Sequence, residues 1–405
     1  MEKTLYYNIS KLYTLAGGPK SKDQLQDCGI LMDAWLTVEK DKIVNLGVGN
    51  PPDEIINRIN LQGKVVVPGF IDAHTHLVFA GDRSNEYPAK ILGKSYLEIL
   101  RQKGGILSSV QVTRKVDKTH LIELAKPHLH HFLARGVTTM EIKSGYGLDR
   151  DTEVKQLEVI KELNDKQDIE LIGSYLGAHA LPQEFSSNKD YLDYCVKEVF
   201  PLVKSLAKFC DIFLDEGVFN YEESENYLHQ ASDYGFKIKM HIDEINNLMG
   251  SELAVKFKAT SVDHCIMTEK KQIERLAKAD IPIVLLPVTS FNLQKNYAKA
   301  KLMRDSGVVL ALGSDYNPGS NPCDDYLLTL RFASRVYGLL AEEVLNMATI
   351  NAAKALDLQD SHGSLEIGKQ ADFLVLDCLD FNQIIARMDF DPLLAVYKKG
   401  EKVYL

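Results

Sequence analysis

The chain is predicted to fold as a (β/α)₈ TIM-type barrel with a small β-sandwich-like domain formed by its N- and C-terminal segments. Three observations predict this. Between about residues 66 and 356, eight short β-rich runs alternate with longer helix-like stretches, the texture of a parallel sheet with helices packed outside it. On either side the pattern reverts to short apolar runs broken by polar turns. No Gly-x-Gly-x-x-Gly follows any of the eight runs, which argues against a doubly wound dinucleotide-binding sheet. The expected division is a composite small domain from residues 1–66 and 358–405, with the barrel at 67–357 inserted between them.

In chain order, residues 31–38, 42–47 and 64–67 read as strands of the N-terminal part. The barrel strands are expected at 65–71, 137–142, 169–176, 211–214, 237–242, 261–263, 281–286 and 308–312. Helices are expected at 117–135, 151–164, 189–207, 222–234, 248–257, 269–277, 297–305 and, last, 341–356. After GSLEIGKQADFLVLD, with a Gly-bounded turn and a strand at 373–376, the tail ends in another strand at 402–405.

Composition narrows the function. The 405 residues are 45% hydrophobic and 25% charged, with a net charge of −9. A negative chain lacks the basic footprint that nucleic acid or an anionic membrane requires, so neither is an expected partner. No run of about 18 apolar residues suggests a membrane span. The first residues lack a signal peptide's apolar core, and the six cysteines are scattered without a Cys-x-x-Cys pair. Free thiols in a reducing, cytoplasmic setting are expected.

In barrels of this kind, chemistry sits at the C-terminal ends of the strands. The first run, VVVPGFIDAHTHL, ends in Asp72, His74 and His76. Residues two apart on a strand share a face about 6–7 Å apart, so both imidazoles can meet one ion. Later runs lead into Lys143-Ser144-Gly145-Tyr146, Gly177-Ala178-His179, His241-Ile242-Asp243-Glu244, Asp263-His264 and Ser314-Asp315-Tyr316-Asn317-Pro318-Gly319. A lone His at such a place usually just packs; repetition at strand after strand changes the reading. His74, His76, His241 and Asp315 supply donors for a borderline metal such as zinc, iron or manganese. Such an ion would bring a bound water's pKa near neutrality. Asp315 alone reads as a turn former; beside three imidazoles it reads as a ligand. Glu244 is the candidate general acid/base, with a helix first-turn acid nearly as good a reading. His264 could stabilise a substrate carbonyl as charge develops. Asp72 and Asp243 are expected to orient ligand imidazoles, and His128 and His131 to be surface or packing residues.

PGFIDAHTHL, the isolated His after a middle strand, His-Cys and GSDYNPG resemble the metal-dependent amidohydrolase superfamily. Within it, HTHLVFAGDRSNEY (74–87), KGGIL (103–107), EIKSGYGL (141–148), GAHALP (177–182), HIDE (241–244), DHC (263–265) and SDYNPGSNP (314–322) resemble the imidazolonepropionase family over nearly the whole chain. The resemblance implies hydrolysis of 4-imidazolone-5-propanoate to N-formimino-L-glutamate, a step of histidine degradation, in a homodimer. It implies one divalent or trivalent ion per chain, zinc or iron, on His74, His76, His241 and Asp315. Arg83 would hold the substrate's propionate, bidentately as a planar fork can. Tyr146 and His179 would line the pocket, and Asn317, Gly319 and Ser320 would contact substrate or product. Glu244, His264 and Asp315 would carry the catalysis, with a metal-activated hydroxide opening the cyclic amide. The chain departs from the family pattern at Ala80-Gly81-Asp82-Arg83, where Gly-Gly-Ser-Arg is frequent, and at Asn292, where an aromatic is usual. Loop position predicts that Asp82 points outward.

The alternatives are another cyclic amidohydrolase, or an aminohydrolase of a purine or pyrimidine base. A neutral base has no carboxylate for Arg83, which favours the first reading. A catalytically silent scaffold would be expected to have lost ligands that are all present.

Overall fold

A computed structural model of the protein describes residues 3–93 and 104–404. Lys103, which opens KGGIL, and Leu405, the expected end of the last strand, lie outside the described residues. Two sheets carry the fold. The first has seven strands, from both ends of the chain: β1 (Lys3–Tyr13), β2 (Ile30–Glu39), β3 (Lys42–Val48), β4 (Asn57–Pro68), β13 (Phe373–Leu376), β14 (Leu393–Lys398) and β15 (Glu401–Tyr404), in the order β15-β14-β13-β4-β1-β2-β3. It curls on itself. The Ile43 N–H donates to the Lys369 carbonyl, and Gly368 donates back to Ile43, so the β3 edge meets the segment leading into β13. Inside the curl, Phe373 stacks on Tyr397 at 4.4 Å between ring centroids and meets Tyr6 at 5.0 Å.

The second sheet is the parallel eight-stranded barrel: β5 (Phe70–Asp72), β6 (Val137–Lys143), β7 (Glu170–Ala178), β8 (Phe209–Leu214), β9 (Lys237–Ile242), β10 (Ser261–His264), β11 (Ile283–Leu285) and β12 (Leu310–Leu312). Between its first and last strands, Ala73 donates to Leu312, Asp315 to the His74 carbonyl and His76 to the Tyr316 carbonyl. The barrel is thus closed by the two segments that carry metal-type side chains. Among the described residues, no helix is long and apolar enough to cross a membrane.

Several expected elements differ in detail. The run 65–71 is two strands: residues up to Pro68 pair with β13 in the terminal sheet, and only Phe70–Asp72 enter the barrel. β1 carries no sequence expectation, yet it is the strand joining β2 to β4. Its pairing shifts register between Tyr6 and Ile9, around Asn8 at φ 59°; such a bulge destroys the period-2 pattern by which a strand is recognised. The stretch 341–356 is two helices, Ala341–Met347 and Ile350–Ala355, broken at Thr349. The stretch 189–207 contains a π-helical segment at Cys195–Val199. The helix Tyr326–Tyr337 was not expected, although Asp325 caps it by accepting from the Leu328 N–H.

Candidate active site

His74 and His76 follow the end of β5 in extended backbone, rather than lying on the strand itself. Their Nε2 atoms are 3.2 Å apart, and each lies 3.5 Å from Asp315 Oδ1. His241, on β9, completes the group, its ring centroid 4.6 Å from that of His74. Its Nε2 is buried without a hydrogen-bond partner. Burial and the neighbouring cationic and imidazole groups hold His74 and His76 well below the usual histidine range, so their rings are neutral and offer lone pairs. Burial pushes the Asp315 carboxyl up to about 7. The imidazole nitrogens of His74, His76 and His241, facing one another beside Asp315 and all buried, form a donor set that fits a metal ion.

A layer of buried charge holds these ligands from below. His74 Nδ1 lies 2.7 Å from Asp263 Oδ2, and His241 Nδ1 lies 3.1 Å from Asp211 Oδ1. Lys143 Nζ touches Asp211 at 2.8 Å, Glu141 at 3.0 Å and Asp263 at 3.0 Å. Lys239 donates to Glu141 at 2.6 Å and to the Ala73 carbonyl at 3.1 Å. Burial alone would neutralise Lys143, but the carboxylates of Asp211, Asp263 and Glu141 outweigh it and raise its pKa well above the usual range. Glu141, Asp211 and Asp263 share two lysines, Lys143 and Lys239. The layer holds one carboxylate more than it has lysines, which suits a cation above it.

Asp72 and Asp243 do other work than expected. Asp72 accepts the backbone N–H groups of His74 and Ser314, tying the two metal-type segments together. Asp243 accepts from the Thr268 hydroxyl and the Leu248 N–H. Asp263 and Asp211 are the residues that orient imidazoles.

Glu244 lies in the turn after β9, set there by Asp215, whose carboxylate accepts the N–H groups of Glu244, Ile245 and Asn246 at 2.8–2.9 Å. Its Oε2 is 3.7 Å from His264 Nε2 and its Oε1 is 3.6 Å from Lys295 Nζ. Burial raises the Glu244 carboxyl, but His264, Lys295 and His241 outweigh it and leave the pKa below the usual value. Burial lowers His264 to about 4, so its ring is neutral at pH 7. His264 and Asp315 both adopt left-handed backbone, at φ 71° and 55°, a cost that recurs where side chains are aimed into a site.

On the opposite wall, the His179 ring stacks on His76 at 5.1 Å and meets Tyr146 at 5.6 Å. The Ser144–Leu148 turn is pinned by the buried Glu153 carboxylate, which accepts from the N–H groups of Gly145, Gly147 and Leu148. Gly145, at φ 105°, leaves room there: a Cβ would lie 2.8 Å from His179 Nδ1. Asn317 donates to Asp315 and to Ser320 Oγ and accepts from the Gly319 and Ser320 N–H groups. A Cβ on Gly319 would lie 2.2 Å from Arg83 Nη1, so glycine there makes space for the guanidinium. Arg83 pairs with Glu86 through Nε and Nη2 at 3.0 and 2.9 Å. The resulting cavity is lined by His76, Arg83, Lys90, Tyr146, Glu244 and Lys295, among others.

Residues 65–403 match the Amidohydrolase family. The imidazolonepropionase of Fusobacterium nucleatum is 41% identical over 98% of this chain and 98% of its own length. That of Alkaliphilus metalliredigens is 39% identical over 100% and 98%. The chain belongs to the imidazolonepropionase family of amidohydrolases. Among solved structures, E. coli guanine deaminase superposes with a TM-score of 0.73 at 17% identity, covering 100% of this chain and 99% of that one. Atrazine chlorohydrolase from Arthrobacter aurescens, complexed with zinc, superposes at 0.71 with 18% identity, covering 98% and 94%. At these identities they report the shared fold.

In this imidazolonepropionase-family chain, His76, Arg83, Tyr146, His179, His241, Glu244, His264, Asp315, Asn317, Gly319 and Ser320 all line one cavity, and His74 lies just beneath it. The residues that sequence reasoning missed are Lys90, Glu86, Asp215, Glu153 and, in the buried layer, Glu141, Asp211 and Lys239; Lys143 stood at a strand end with no role given to it. A signal for that layer does exist. Glu141 and Lys143 stand two apart in an otherwise uncharged strand, and Lys239 and His241 also stand two apart, so each pair points to one face. His128 and His131 share the Asp324 carboxylate at the surface, at 2.8 and 2.9 Å.

Proposed function

We propose that this protein hydrolyses 4-imidazolone-5-propanoate to N-formimino-L-glutamate. The observation that carries the reading is one cavity in which a metal-type donor set, a buried ionised Glu244 and an Arg83 corner face one another. Its support from relatives is the full-length identity to imidazolonepropionases.

His74, His76, His241 and Asp315 would hold one ion per chain, zinc or iron. When bound, such an ion acidifies a water and polarises the ring carbonyl. Glu244, ionised, accepts the water proton as oxygen bonds to the carbonyl carbon. His264 hydrogen-bonds the carbonyl oxygen as charge develops on it. The ring C–N bond then breaks, Glu244 delivers its proton to the departing nitrogen, and the new carboxyl group releases its remaining proton to solvent to become a carboxylate. Arg83 receives the propionate, while Tyr146 and His179 form the wall against the ring. Asn317, Gly319 and Ser320 shape the remaining side. A homodimer in the cytoplasm belongs to the same reading; the six unpaired cysteines accord with a reducing compartment.

The test is turnover of freshly generated 4-imidazolone-5-propanoate, with elemental analysis of the same preparation. Loss of imidazolone absorbance, formation of formiminoglutamate and about one metal per chain are expected. A metal-loaded protein inert toward this substrate would redirect the reading to other cyclic amides.

A further inference from the structure

We infer that Lys90 selects a carboxylate-bearing substrate: its ammonium, together with the free edge of the Arg83 guanidinium, receives the carboxylate, and Glu86 holds both cations in place. The inference deepens the function proposed above and rests on it.

The argument is one of charge and of unused donors. Three cationic side chains line the cavity: Arg83, Lys90 and Lys295. Lys295 faces Glu244 at 3.6 Å. Arg83 is engaged by Glu86 through both Nε and Nη2, and this pair is almost fully buried. Each of these pairs is neutral as a unit, so Arg83 brings directed donors without net charge. Lys90 is the cation in excess. It lies one helical turn after Glu86, on the helix Tyr87–Ile91, with Nζ 3.5 Å from Glu86 Oε2. It also donates to the Gly319 carbonyl at 2.7 Å. An ammonium has three N–H donors, which leaves one for a ligand. Arg83 Nη1 has no acceptor among the described residues and lies against Gly319, the residue whose carbonyl Lys90 touches. The corner thus presents a single net positive charge and unused N–H groups from two side chains, a match for one carboxylate. Burial and the adjacent guanidinium draw the Lys90 pKa below its usual value, the strain of two neighbouring cations that an incoming anion relieves.

Glu86 is the positioning residue. Besides Arg83 and Lys90, it accepts the Gly105 N–H at 2.7 Å, which anchors the corner to the start of the helix Ile106–Lys115.

A purely structural Lys90, strapping the 317–320 loop through Gly319, would affect every ligand alike. The test therefore compares ligands with and without the carboxylate. Full-length, metal-loaded wild type, Lys90→Met, Lys90→Gln and Lys90→Arg are assayed for turnover of 4-imidazolone-5-propanoate, and by calorimetry for binding of imidazole-4-propanoate and 4-ethylimidazole. In Lys90→Met and Lys90→Gln, KM and the Kd for imidazole-4-propanoate rise about ten- to a hundredfold, with kcat little changed and 4-ethylimidazole binding as in wild type. Lys90→Arg recovers most of the loss. Equal weakening of both ligands, or unchanged binding of imidazole-4-propanoate, overturns the assignment. So does a wild type without preference for the carboxylate. A wild type that prefers imidazole-4-propanoate in a Lys90-dependent way, yet leaves the imidazolone intact, overturns the hydrolysis reading and upholds the role of Lys90.

Discussion

The two ends of the cavity are built in opposite ways. At the candidate metal end, His74, His241 and Asp315 follow or lie on barrel strands, and the two imidazoles are braced by a fully buried layer: Asp211, Asp263, Lys143 and Lys239 are each at 0% exposure. At the anion end, Arg83, Glu86 and Lys90 sit on a loop, a 3₁₀ turn and a five-residue helix, braced mainly by each other. Rigid elements hold reacting groups more tightly than loops do. The contrast assigns reaction geometry to the strands and substrate choice to the loop.

The sharpest way to break this comparison lies at the reacting centre. Glu244→Gln should lower turnover roughly a hundred- to ten-thousandfold while elemental analysis finds the metal content of wild type. Near-normal turnover would remove Glu244 from the proton transfer.

Next in size is the buried layer. Asp263→Ala leaves His74 unoriented and Lys143 short of a partner. Metal affinity should fall about ten- to a hundredfold, and denaturant unfolding should show a loss of about 3–5 kcal/mol, as for a broken buried ion pair. The corresponding change at the anion end, Glu86→Gln, should raise KM and leave the metal content unchanged. Metal loss from Glu86→Gln would erase the distinction between the ends.

A smaller effect is one of pH. Glu244 must be ionised to accept a proton, and its pKa is held below the usual glutamate value. Activity limited by this group is therefore present above that lowered pKa and lost as pH falls through it. Lys295→Met removes one of the lowering charges, so the acid limb of the kcat/KM profile should move to higher pH. A limb that stays in place, or moves down, would show that Lys295 does not act on Glu244.

The smallest effect is expected at Asp82. Its side chain is exposed and its carboxylate accepts from the Ser84 N–H. Asp82→Ser should change KM by less than about twofold; a larger improvement would place the Asp82 charge within reach of the substrate. Asn292 donates to Asn321 and is not among the residues that line the cavity.

Legibility differed between the two ends for a physical reason. Metal-type residues are rare and chemically distinctive, and they fall where strands stop, so His74, His76, His241 and Asp315 could be picked out from spacing and residue type. Asp211 and Asp263 could not be paired with their imidazoles, because Asp211 meets His241 only where β8 pairs with β9 and Asp263, on β10, meets His74, beyond β5, only in the folded barrel. Asp72 and Asp243, two residues from a candidate ligand in sequence, drew the orienting role that Asp263 and Asp211 fill. Lys90 was invisible for a similar reason: a lysine on a short surface-type helix reads as solvated until Glu86 and Gly319 are seen around it.

The sequence by itself determined the fold class, the alternation that builds the barrel, and the residue types able to bind a metal and move a proton. These follow from local periodicity and side-chain chemistry, which need no knowledge of neighbours. The tertiary structure alone decided which carboxylate steers which imidazole, where the terminal sheet ends and the barrel begins within 65–72, and which cation in the cavity carries unbalanced charge. Those outcomes depend on contacts between residues far apart in the chain, and burial sets their strength.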